Sequence, residues 1–364
     1  MKKNKPIRIL QIVPIMRSAG IENFIMNIYR KLDREKIQFD FLVHSKFESD
    51  FDTEITKLGG KIYRLSFKDD KNIFKYIKDL NNFFKLHNEY KIVHGEMQSM
   101  MPLYLFFAKK YNVPVRIAHS HNSNYEKTLK GFVLHIFSRF SSMFATDLWA
   151  CSINAGKYLF GKKDFCVIHN AIDSTKYSYN AETRKKIRSE ENLCKKFVVG
   201  HIGRFELQKN HEFLIDIFKE INKINPDSVL LCFGTGKLEE KIKDKVKQYH
   251  LDKKVIFKGV VSNTYEYYQA MDCFILPSLY EGLPLVGVEA QISGLPCFFS
   301  NTITNELKLS NNSYFLNLKL DSCDWAKFVC KNSQINRKSN FFKEYDLDNE
   351  SKRLERKYIE MSKR

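Results

Sequence analysis

The feature that most limits the fold of this chain is a repeated alternation between short apolar segments and longer amphipathic ones. In the first half, short segments rich in β-branched and aromatic residues predict strands, and segments with apolar residues every three or four positions predict helices. The predicted strands are IRILQIV, FDFLV, KIYRL, KIVHG and VRIAHS, and the helical segments include IENFIMNIYRKL, NIFKYIKDLNNFF and MPLYLFFAKKY. Such βα units predict a parallel sheet with helices on both faces.

The same alternation of predicted strands and helices begins again after Asp173. Strands are predicted at KFVVGHI, SVLLCF, KVIFKG and CFILP, and helices from about Asn210, over Glu239 to Tyr249, and from about Pro284. The polar stretch 173–191, DSTKYSYNAETRKKIRSEE, separates the two series. We interpret it as the linker between two domains.

A length of 364 residues fits two domains. We therefore predict an α/β protein with two doubly wound, Rossmann-like domains at 1–175 and 176–364. The basic tail predicts a final amphipathic helix, which is a candidate to pack back on the N-terminal domain. In open α/β sheets, ligands bind beyond the carboxyl ends of the strands, so we expect a ligand in a cleft between the two domains.

Composition excludes several classes of protein. With 43% hydrophobic residues, 15 Gly and 8 Pro, the chain is neither disordered nor collagen-like. No apolar run approaches the ~18 residues of a membrane span, and the first residues lead into a strand rather than a signal peptide. The eight cysteines have no CxxC spacing, which predicts buried free thiols rather than zinc ligands or disulfides. These features predict a cytoplasmic protein.

The charge is strongly basic and unevenly distributed. The net charge is +18, of which +11 falls in residues 1–175, with 28 basic and 17 acidic residues. Between Ser99 and Thr146 the only acid is Glu126, against six Lys and Arg. Such an excess indicates an anionic partner, which could be nucleic acid, an anionic lipid surface or a phosphorylated substrate.

The segment from Lys127 to Thr146 combines the basic residues Lys127, Lys130 and Arg139 with large apolar residues, among them Phe132, Leu134, Ile136, Phe137, Phe140, Met143 and Phe144. One interpretation, which the pattern slightly favours, is a helix packed in the core of the first domain. The other is a basic amphipathic helix that lies at a membrane surface.

Two glutamates at the start of a predicted helix carry the sharpest chemical signal. Glu281 precedes a helix that begins near Pro284, and Glu289 follows one turn beyond Leu285. Free amides and the dipole at a helix start favour an anion, while carboxylates accept hydrogen bonds from hydroxyls. This combination suits a phosphorylated, sugar-like ligand, although a first-turn charge and a surface glutamate would explain the spacing equally well.

A second element is HIGRFELQKNHEF, in which a predicted strand is followed by Arg204 and Lys209. Two cations at the carboxyl end of a strand can neutralise a diphosphate, Arg as a planar fork and Lys as a point charge. Solvated loop charges are an equally good interpretation of this element taken alone.

Together these segments resemble the retaining glycosyltransferases of family four, which have the GT-B architecture of two Rossmann-like domains. Glu281 and Glu289, within PSLYEGLPLVGVEA, match the paired-glutamate motif of that family, and GRFELQKNH matches its phosphate-binding Arg and Lys. VIHNAID resembles its crossing segment between domains. AHSHN and EAQISGLP have counterparts in enzymes of bacterial capsule and exopolysaccharide assembly.

The resemblance implies roles for individual residues. Glu281 would hold hydroxyls of the transferred sugar, and Glu289 would bind the ribose of the nucleotide. Arg204 and Lys209 would hold the diphosphate and stabilise the leaving group. The remaining donor-binding positions are backbone positions at Gly20, Gly282, Leu283 and Leu285.

A histidine near the donor sugar is also implied, at His121 or, as second choice, His119. A histidine that binds loop backbone groups is the alternative.

The sequence departs from the family pattern in two loops. Ala19-Gly20 replaces two adjacent glycines, and GTGK at 234–237 lacks the usual acidic residue and proline.

The resemblance implies a retaining transfer from a nucleotide diphosphate sugar to a lipid-linked oligosaccharide in surface polysaccharide synthesis, and we expect the donor to be UDP-linked. No metal or other cofactor is implied, and the Asp50/Asp52 and Asp346/Asp348 pairs are interpreted as surface carboxylates. We expect the enzyme at the inner face of the cell membrane, peripherally bound to the anionic surface. The alternatives are a non-hydrolysing sugar-nucleotide epimerase of the same architecture or a basic nucleic-acid-binding protein. No RNA-binding module supports the last, so nucleic acid is not an expected partner.

Overall fold

The computed structural model describes residues 5–17, 20–65, 72–121 and 128–364, although the side chain of Lys130 is not included. The chain forms two compact units. The first contains residues up to Ile172 together with Glu344–Arg364, and the second contains Asp173–Lys343.

The first unit is built on a seven-stranded sheet in which every neighbouring pair is parallel. The strands are β1 (Ile7–Val13), β2 (Ile37–Val43), β3 (Ile62–Arg64), β4 (Ile92–Gly95), β5 (Val115–Ser120), β6 (Asp147–Ala150) and β7 (Cys166–Val167). Their order is β3-β2-β1-β4-β5-β6-β7. The strand order therefore reverses between β1 and β4, which is where doubly wound sheets bind ligands.

Helices cover both faces of this sheet. They are α1 (Gly20–Lys31), α2 (Asp52–Lys57), α3 (Ile73–Leu86), α4 (Met101–Lys110), α5 (Leu129–Arg139), α6 (Ser141–Phe144) and α7 (Ile153–Phe160). Neighbouring strand residues enter different cores: Ile9 packs with α1 on one face, whereas Leu10 packs with α3 and α4 on the other. This two-sided burial explains why most residues along the strands are apolar.

The second unit contains a six-stranded parallel sheet in the order β10-β9-β8-β11-β12-β13. Its strands are β8 (Phe197–Ile202), β9 (Ser228–Phe233), β10 (Val255–Gly259), β11 (Cys273–Leu276), β12 (Cys297–Ser300) and β13 (Ser313–Leu316). Its helices are α8 (Ser174–Tyr177), α9 (Ala181–Glu190), α10 (His211–Ile224), α11 (Glu239–Gln248), α12 (Thr264–Ala270), α13 (Leu285–Ile292) and α14 (Ser322–Asn332). Here the strand order reverses between β8 and β11.

The C-terminal helix α15 (Leu347–Met361) belongs to the first unit. Its apolar side chains Leu354, Tyr358 and Met361 pack in the same core as Phe39 of β2. Asp346 caps the helix by accepting from the backbone N–H of Asn349 at 3.0 Å. The second unit therefore ends at Lys343. The predicted range 176–364 is wrong at its C-terminal end, because α15 packs in the core of the first unit.

The prediction that 173–191 is a linker is wrong. Asp173 and Asn180 cap helices α8 and α9, each accepting from the backbone N–H three residues on. Arg184 and Arg188 of α9 donate to the last carbonyls of α12 and pair with Asp272. The polar composition of this stretch therefore serves the exposed carbonyls at a helix end, which would otherwise lack partners.

The cysteines are all free. Cys151, Cys232, Cys273 and Cys297 are buried as predicted, whereas Cys166, Cys194, Cys323 and Cys330 are at least partly exposed. Among the described residues, no helix is both long enough and apolar enough to cross a membrane.

We predict that Gly234→Ala destabilises the second unit. Gly234 has φ of +119°, and a Cβ atom there would lie 2.3 Å from the carbonyl oxygen of Gly203. Backbone strain of this kind costs about 1–3 kcal/mol, and the clash adds to it. Gly259→Ala is the matched control, because φ there is also positive, at +62°, but a Cβ would meet no atom within 4 Å. Urea unfolding should show the larger loss for Gly234→Ala; equal losses would contradict the close approach.

Candidate functional site

Two neighbouring strands bring the predicted residues of the second unit together. β8 and β11 are paired in parallel at the point where the strand order reverses. Arg204 follows β8 and Glu281 follows β11, so both lie beyond the carboxyl ends of their strands. The apolar strands thus place the charged loops at one edge of the sheet.

The carboxylate of Glu281 has three donors. Lys209 Nζ lies 2.6 Å from Oε1, Ser278 donates to Oε1 at 2.9 Å, and Gln208 donates to Oε2 at 3.0 Å. The side chains of Lys209 and Glu281 are 15% and 8% exposed. Lys209 therefore forms a partly buried ion pair with Glu281, a contact that the prediction of a free phosphate-binding lysine did not include.

Further hydrogen bonds join the two loops. Asn210 has a left-handed backbone with φ of 55° and donates to the carbonyl of Pro277 at 3.1 Å. The backbone N–H of Leu279 donates to the carbonyl of Gln208 at 2.8 Å. Sequence reasoning missed Gln208, Asn210 and Ser278. The only signal for them was their position directly after neighbouring strands, which requires the strand order to be known.

Arg204 is exposed, and its guanidinium has no hydrogen bond or ion pair with any residue in the described ranges. The nearby histidines add no charge, because burial lowers the pKa of His211 to about 4 and that of His201 well below its usual value. His211 instead stacks on Phe205, with ring centroids 4.1 Å apart. The positive charge at this strand end therefore comes from Arg204 and Lys209.

The start of α13 is open to an anion. Pro284 occupies the N-cap position, and no side chain of the described residues caps the helix. Gly282, Leu283 and Leu285 lie in and next to this turn. The N–H groups of a first helical turn have no partner within the helix and favour a phosphate or carboxylate.

Glu289 lies on α13 but does not share the hydrogen-bond partners of Glu281. Tyr268 donates to its Oε2 at 2.9 Å, and Tyr177 of α8 is also bonded to it. Burial raises the pKa of Glu289, and both hydroxyls oppose that shift. The interpretation of Glu289 as a plain surface residue is therefore wrong, because its carboxylate is held in a defined position by two tyrosines.

In the first unit, Gly20 begins α1, shortly after β1 ends. A Cβ atom at Gly20 would meet no atom of the described residues within 4 Å. The neighbouring Ala19 lies outside the described residues. The packing of the described residues therefore does not require a glycine at this position.

A polar cluster lies at the carboxyl ends of β4 and β5. His94 and His119 belong to these strands, and Glu96 and His121 directly follow them. Glu96 Oε1 is 3.2 Å from His94 Nε2, while Oε2 is 3.1 Å from His119 Nδ1 and also contacts His121 Nε2. None of the four side chains is more than 3% exposed. His94 is held in turn by the Tyr358 hydroxyl of α15, 2.7 Å from Nδ1.

Sequence reasoning singled out His119 and His121 but missed Glu96, His94 and Tyr358. Both predicted histidines contact the same carboxylate, and only His121 lies beyond the end of its strand. The three new residues come from strands and a helix distant in sequence. The spacing HGE, after a predicted strand, was the one available signal.

Three side chains of this cluster are close enough together to hold a metal ion. The ligand atoms of His94, Glu96 and His119 lie within 4.8 Å of one another, a grouping found once among the residues described. Each imidazole contacts the carboxylate directly, so we interpret the cluster as a hydrogen-bonded network.

The expectation that both Asp-x-Asp pairs are surface carboxylates is wrong for two residues. Asp52 is 8% exposed and pairs with Arg64, and Asp346 is 9% exposed and caps α15.

Comparisons with known proteins show the family of the chain. Residues 183–316 match the family model for glycosyl transferases group 1. The chain is 30% identical over 348 residues to the putative glycosyltransferase EpsF of Bacillus subtilis, covering 93% of this chain and 91% of EpsF. The chain belongs to the group 1 family of glycosyltransferases.

Other relatives are more distant. The chain is 26% identical to the UDP-Gal:alpha-D-GlcNAc-diphosphoundecaprenol alpha-1,3-galactosyltransferase of Escherichia coli, over 86% of this chain and 84% of that one. It is also 26% identical to the capsular polysaccharide biosynthesis glycosyltransferase CapH of Staphylococcus aureus, over 89% and 90% of the two chains.

Among solved structures, HepE of Anabaena in complex with UDP and glucose matches with a TM-score of 0.74 and 15% identity. The match covers 98% of this chain and 97% of HepE. The glycosyltransferase therefore has the predicted α/β fold, with two Rossmann-like domains of GT-B type. Its family membership also decides against the epimerase alternative.

We predict that Lys209→Met destabilises the second unit by about 2–3 kcal/mol, because it leaves a partly buried carboxylate without its cation. Lys223→Met is the matched control, since Lys223 pairs with Glu220 on the surface and is 61% exposed. Exposed pairs contribute about 1 kcal/mol or less. Chemical denaturation of both variants measures the difference, and a loss as small as that of Lys223→Met would show that the Lys209–Glu281 pair is unimportant for folding.

Proposed function

We propose that this glycosyltransferase transfers a sugar from a UDP-linked donor to a lipid-linked saccharide, with retention of configuration, in the assembly of a bacterial surface polysaccharide. The observation that carries the proposal is the arrangement around the start of α13, where two fixed carboxylates flank an uncapped helix start beside two cations. The names of two relatives support the pathway, since one uses UDP-Gal and a diphosphoundecaprenol acceptor and the other makes capsular polysaccharide.

Each carboxylate suits a different part of the donor. Glu281 is fixed by Lys209, Ser278 and Gln208, so its oxygens can accept from sugar hydroxyls with little loss of side-chain freedom. Glu289 is fixed by Tyr268 and Tyr177 and would accept from the ribose hydroxyls. The amides at Gly282, Leu283 and Leu285 would donate to sugar and phosphate oxygens.

The departing diphosphate needs positive charge, which we assign to Arg204 and Lys209. Arg204 is exposed and unpaired within the described residues, so it is available to bind two phosphate oxygens as a fork. Lys209 would bridge Glu281 and a phosphate oxygen. With these cations and the backbone amides at the start of α13, we propose a reaction that needs no metal ion. The acceptor hydroxyl would attack the face from which the diphosphate departs.

A lipid-linked acceptor requires contact with a membrane, and the structure offers a surface for it. α5 and α6 leave large apolar side chains in solvent: Leu129, Phe132, Val133, Ile136, Phe140 and Met143, which are between 45% and 81% exposed. The expectation of a core-packed helix is therefore wrong. Arg139 is exposed on the same helix, while Lys127 and the side chain of Lys130 lie outside the described residues. We propose peripheral binding of this surface to the anionic inner face of the cell membrane.

The two glutamates should differ in their effects. We predict that Glu289→Ala weakens binding of UDP at least tenfold, because its proposed partner is ribose, whereas Glu281→Ala leaves UDP binding nearly unchanged but abolishes sugar transfer. Calorimetry with UDP and with UDP-sugars, together with a transfer assay, measures both effects. Glu206→Ala, close to the same loop, is the control. Equal UDP affinity in wild type and Glu289→Ala would refute the ribose assignment.

The same assays should give unchanged results in EDTA, while Arg204→Ala should cost about 3 kcal/mol of transition-state stabilisation. Activity that is lost in EDTA and restored by Mg²⁺ would contradict the proposed role of the cations. The coupling constant of the anomeric proton in the product tests retention directly.

Membrane binding is tested with vesicles. We predict that replacing Lys127, Lys130 and Arg139 with Ser weakens binding to anionic vesicles by roughly 3 kcal/mol at low salt, at about 1 kcal/mol per residue. Leu129→Ser with Val133→Ser should weaken binding by a further ~2 kcal/mol at any salt concentration, because apolar burial is not screened.

Phe74→Ser with Leu86→Ser is the control, since these residues of α3 are 82% and 75% exposed. Vesicle flotation measures binding, and transfer to a water-soluble acceptor analogue should persist in every variant. Binding that is unchanged by both sets of substitutions, or reduced equally by the α3 control, would show that α5 is not the membrane surface.

A further inference from the structure

The buried carboxylate of Glu96 is surrounded by three imidazoles. His94 Nε2 lies 3.2 Å from Glu96 Oε1 and 3.1 Å from His119 Nδ1, and the Tyr358 hydroxyl lies 2.7 Å from His94 Nδ1. His119 Nδ1 and His121 Nε2 both face Glu96 Oε2. Burial would raise the pKa of Glu96, but the three imidazoles hold it well below its usual value, so the carboxylate is ionised and acts only as an acceptor.

A buried negative charge needs a buried positive one. His94 and His119 do not supply it, because burial lowers the pKa of both, that of His94 to about 3. Burial alone would also lower the pKa of His121, but contact with the Glu96 carboxylate outweighs it and raises the pKa to about 10. The Cys151 side chain also raises the pKa of His121, and its thiol donates to the backbone carbonyl of His121 at 3.6 Å. The His119 ring packs against His121, with ring centroids 4.1 Å apart.

The second nitrogen of His121 is the remaining part of the arrangement. Nδ1 is buried and has no hydrogen-bond partner among the residues described. In an imidazolium this nitrogen carries a proton, and a buried donor without an acceptor is unfavourable. An oxygen of a bound substrate would satisfy it.

We propose that Glu96 is a positioning residue that holds His121 as an imidazolium, so that its Nδ1–H group donates to an oxygen of a bound substrate. The proposal rests on the proposed function, since it takes that substrate to belong to the transfer reaction. A charged donor forms a stronger hydrogen bond with a hydroxyl or phosphate oxygen than a neutral imidazole does. His94 and Tyr358 hold the other side of the carboxylate, so the C-terminal helix helps to fix it.

The test is the pH dependence of transfer in wild type and Glu96→Gln. In wild type, His121 stays charged from pH 6 to 9 and kcat should not depend on this group. In Glu96→Gln the pKa of His121 should fall to its ordinary ~6.5 or below. The charged fraction at pH 8 then drops more than tenfold, so kcat should fall by at least that factor and recover towards pH 6. Glu96→Asp should restore part of the activity at pH 8.

The control is Glu89→Gln, since Glu89 forms an exposed pair with His87 at 3.2 Å and should leave the profile unchanged. Circular dichroism and chemical denaturation of the full chain report whether the first unit of each variant is folded. A direct measurement on the wild type needs no variant of Glu96: nitrogen NMR, with the His121 signals assigned from His121→Gln, should show both ring nitrogens protonated at pH 8.

Three results would overturn the proposal. They are an unchanged pH profile in folded Glu96→Gln, a wild-type His121 that is neutral at pH 8, and a stoichiometric metal ion that is lost in Glu96→Gln, which would make the cluster a metal site. Failure of the proposed function is distinguishable, because it would appear as full transfer activity in Glu281→Ala and Glu289→Ala, whatever the NMR shows.

Discussion

The positions of the residues in both candidate sites depend on one constraint. A parallel sheet that is buried on both faces accommodates most polar side chains beyond the ends of its strands. The strands of both units are apolar on successive residues, as Ile9 and Leu10 show by entering different cores. A charged group within such a strand is desolvated and needs a partner, as Asp40 of β2 has in Arg8. The carboxyl ends of neighbouring strands lie side by side, so loops far apart in sequence bring their polar residues to one edge.

The two units solve the problem of a buried charge at this edge in different ways. In the second unit, Glu281 is paired with Lys209 and accepts from Ser278 and Gln208. In the first unit, Glu96 contacts three imidazoles, of which we infer that His121 carries the positive charge. Glu289 is bonded to the hydroxyls of Tyr268 and Tyr177, and burial raises its pKa. Such supporting contacts fix a functional side chain before substrate binds, which reduces the entropy lost on binding.

The exposed apolar side chains of α5 and α6 are not explained by the packing of the sheet. The exposed apolar side chains of α5 and α6 lie on one short stretch of chain, whereas the basic residues of the first half are spread over it. A continuous apolar surface of this kind is uncommon on a protein that has no partner there. The sequence contained both features, but hydrophobic periodicity describes a helix that faces a core and one that faces a lipid surface in the same way.

The sequence by itself determined the two α/β units, most of their strands, the pair Glu281 and Glu289, and the basic residues Arg204 and Lys209. These follow from local patterns, in which apolar periodicity and the residues next to a strand or helix end are visible within about twenty positions. Tertiary structure alone decided that Lys209 pairs with Glu281, that the polar stretch 173–191 is helical, and that Glu96, His94 and Tyr358 surround the predicted histidines. These contacts join residues up to 264 positions apart. Their geometry depends on strand order and on the return of the C-terminal helix, which no local pattern in the sequence specifies.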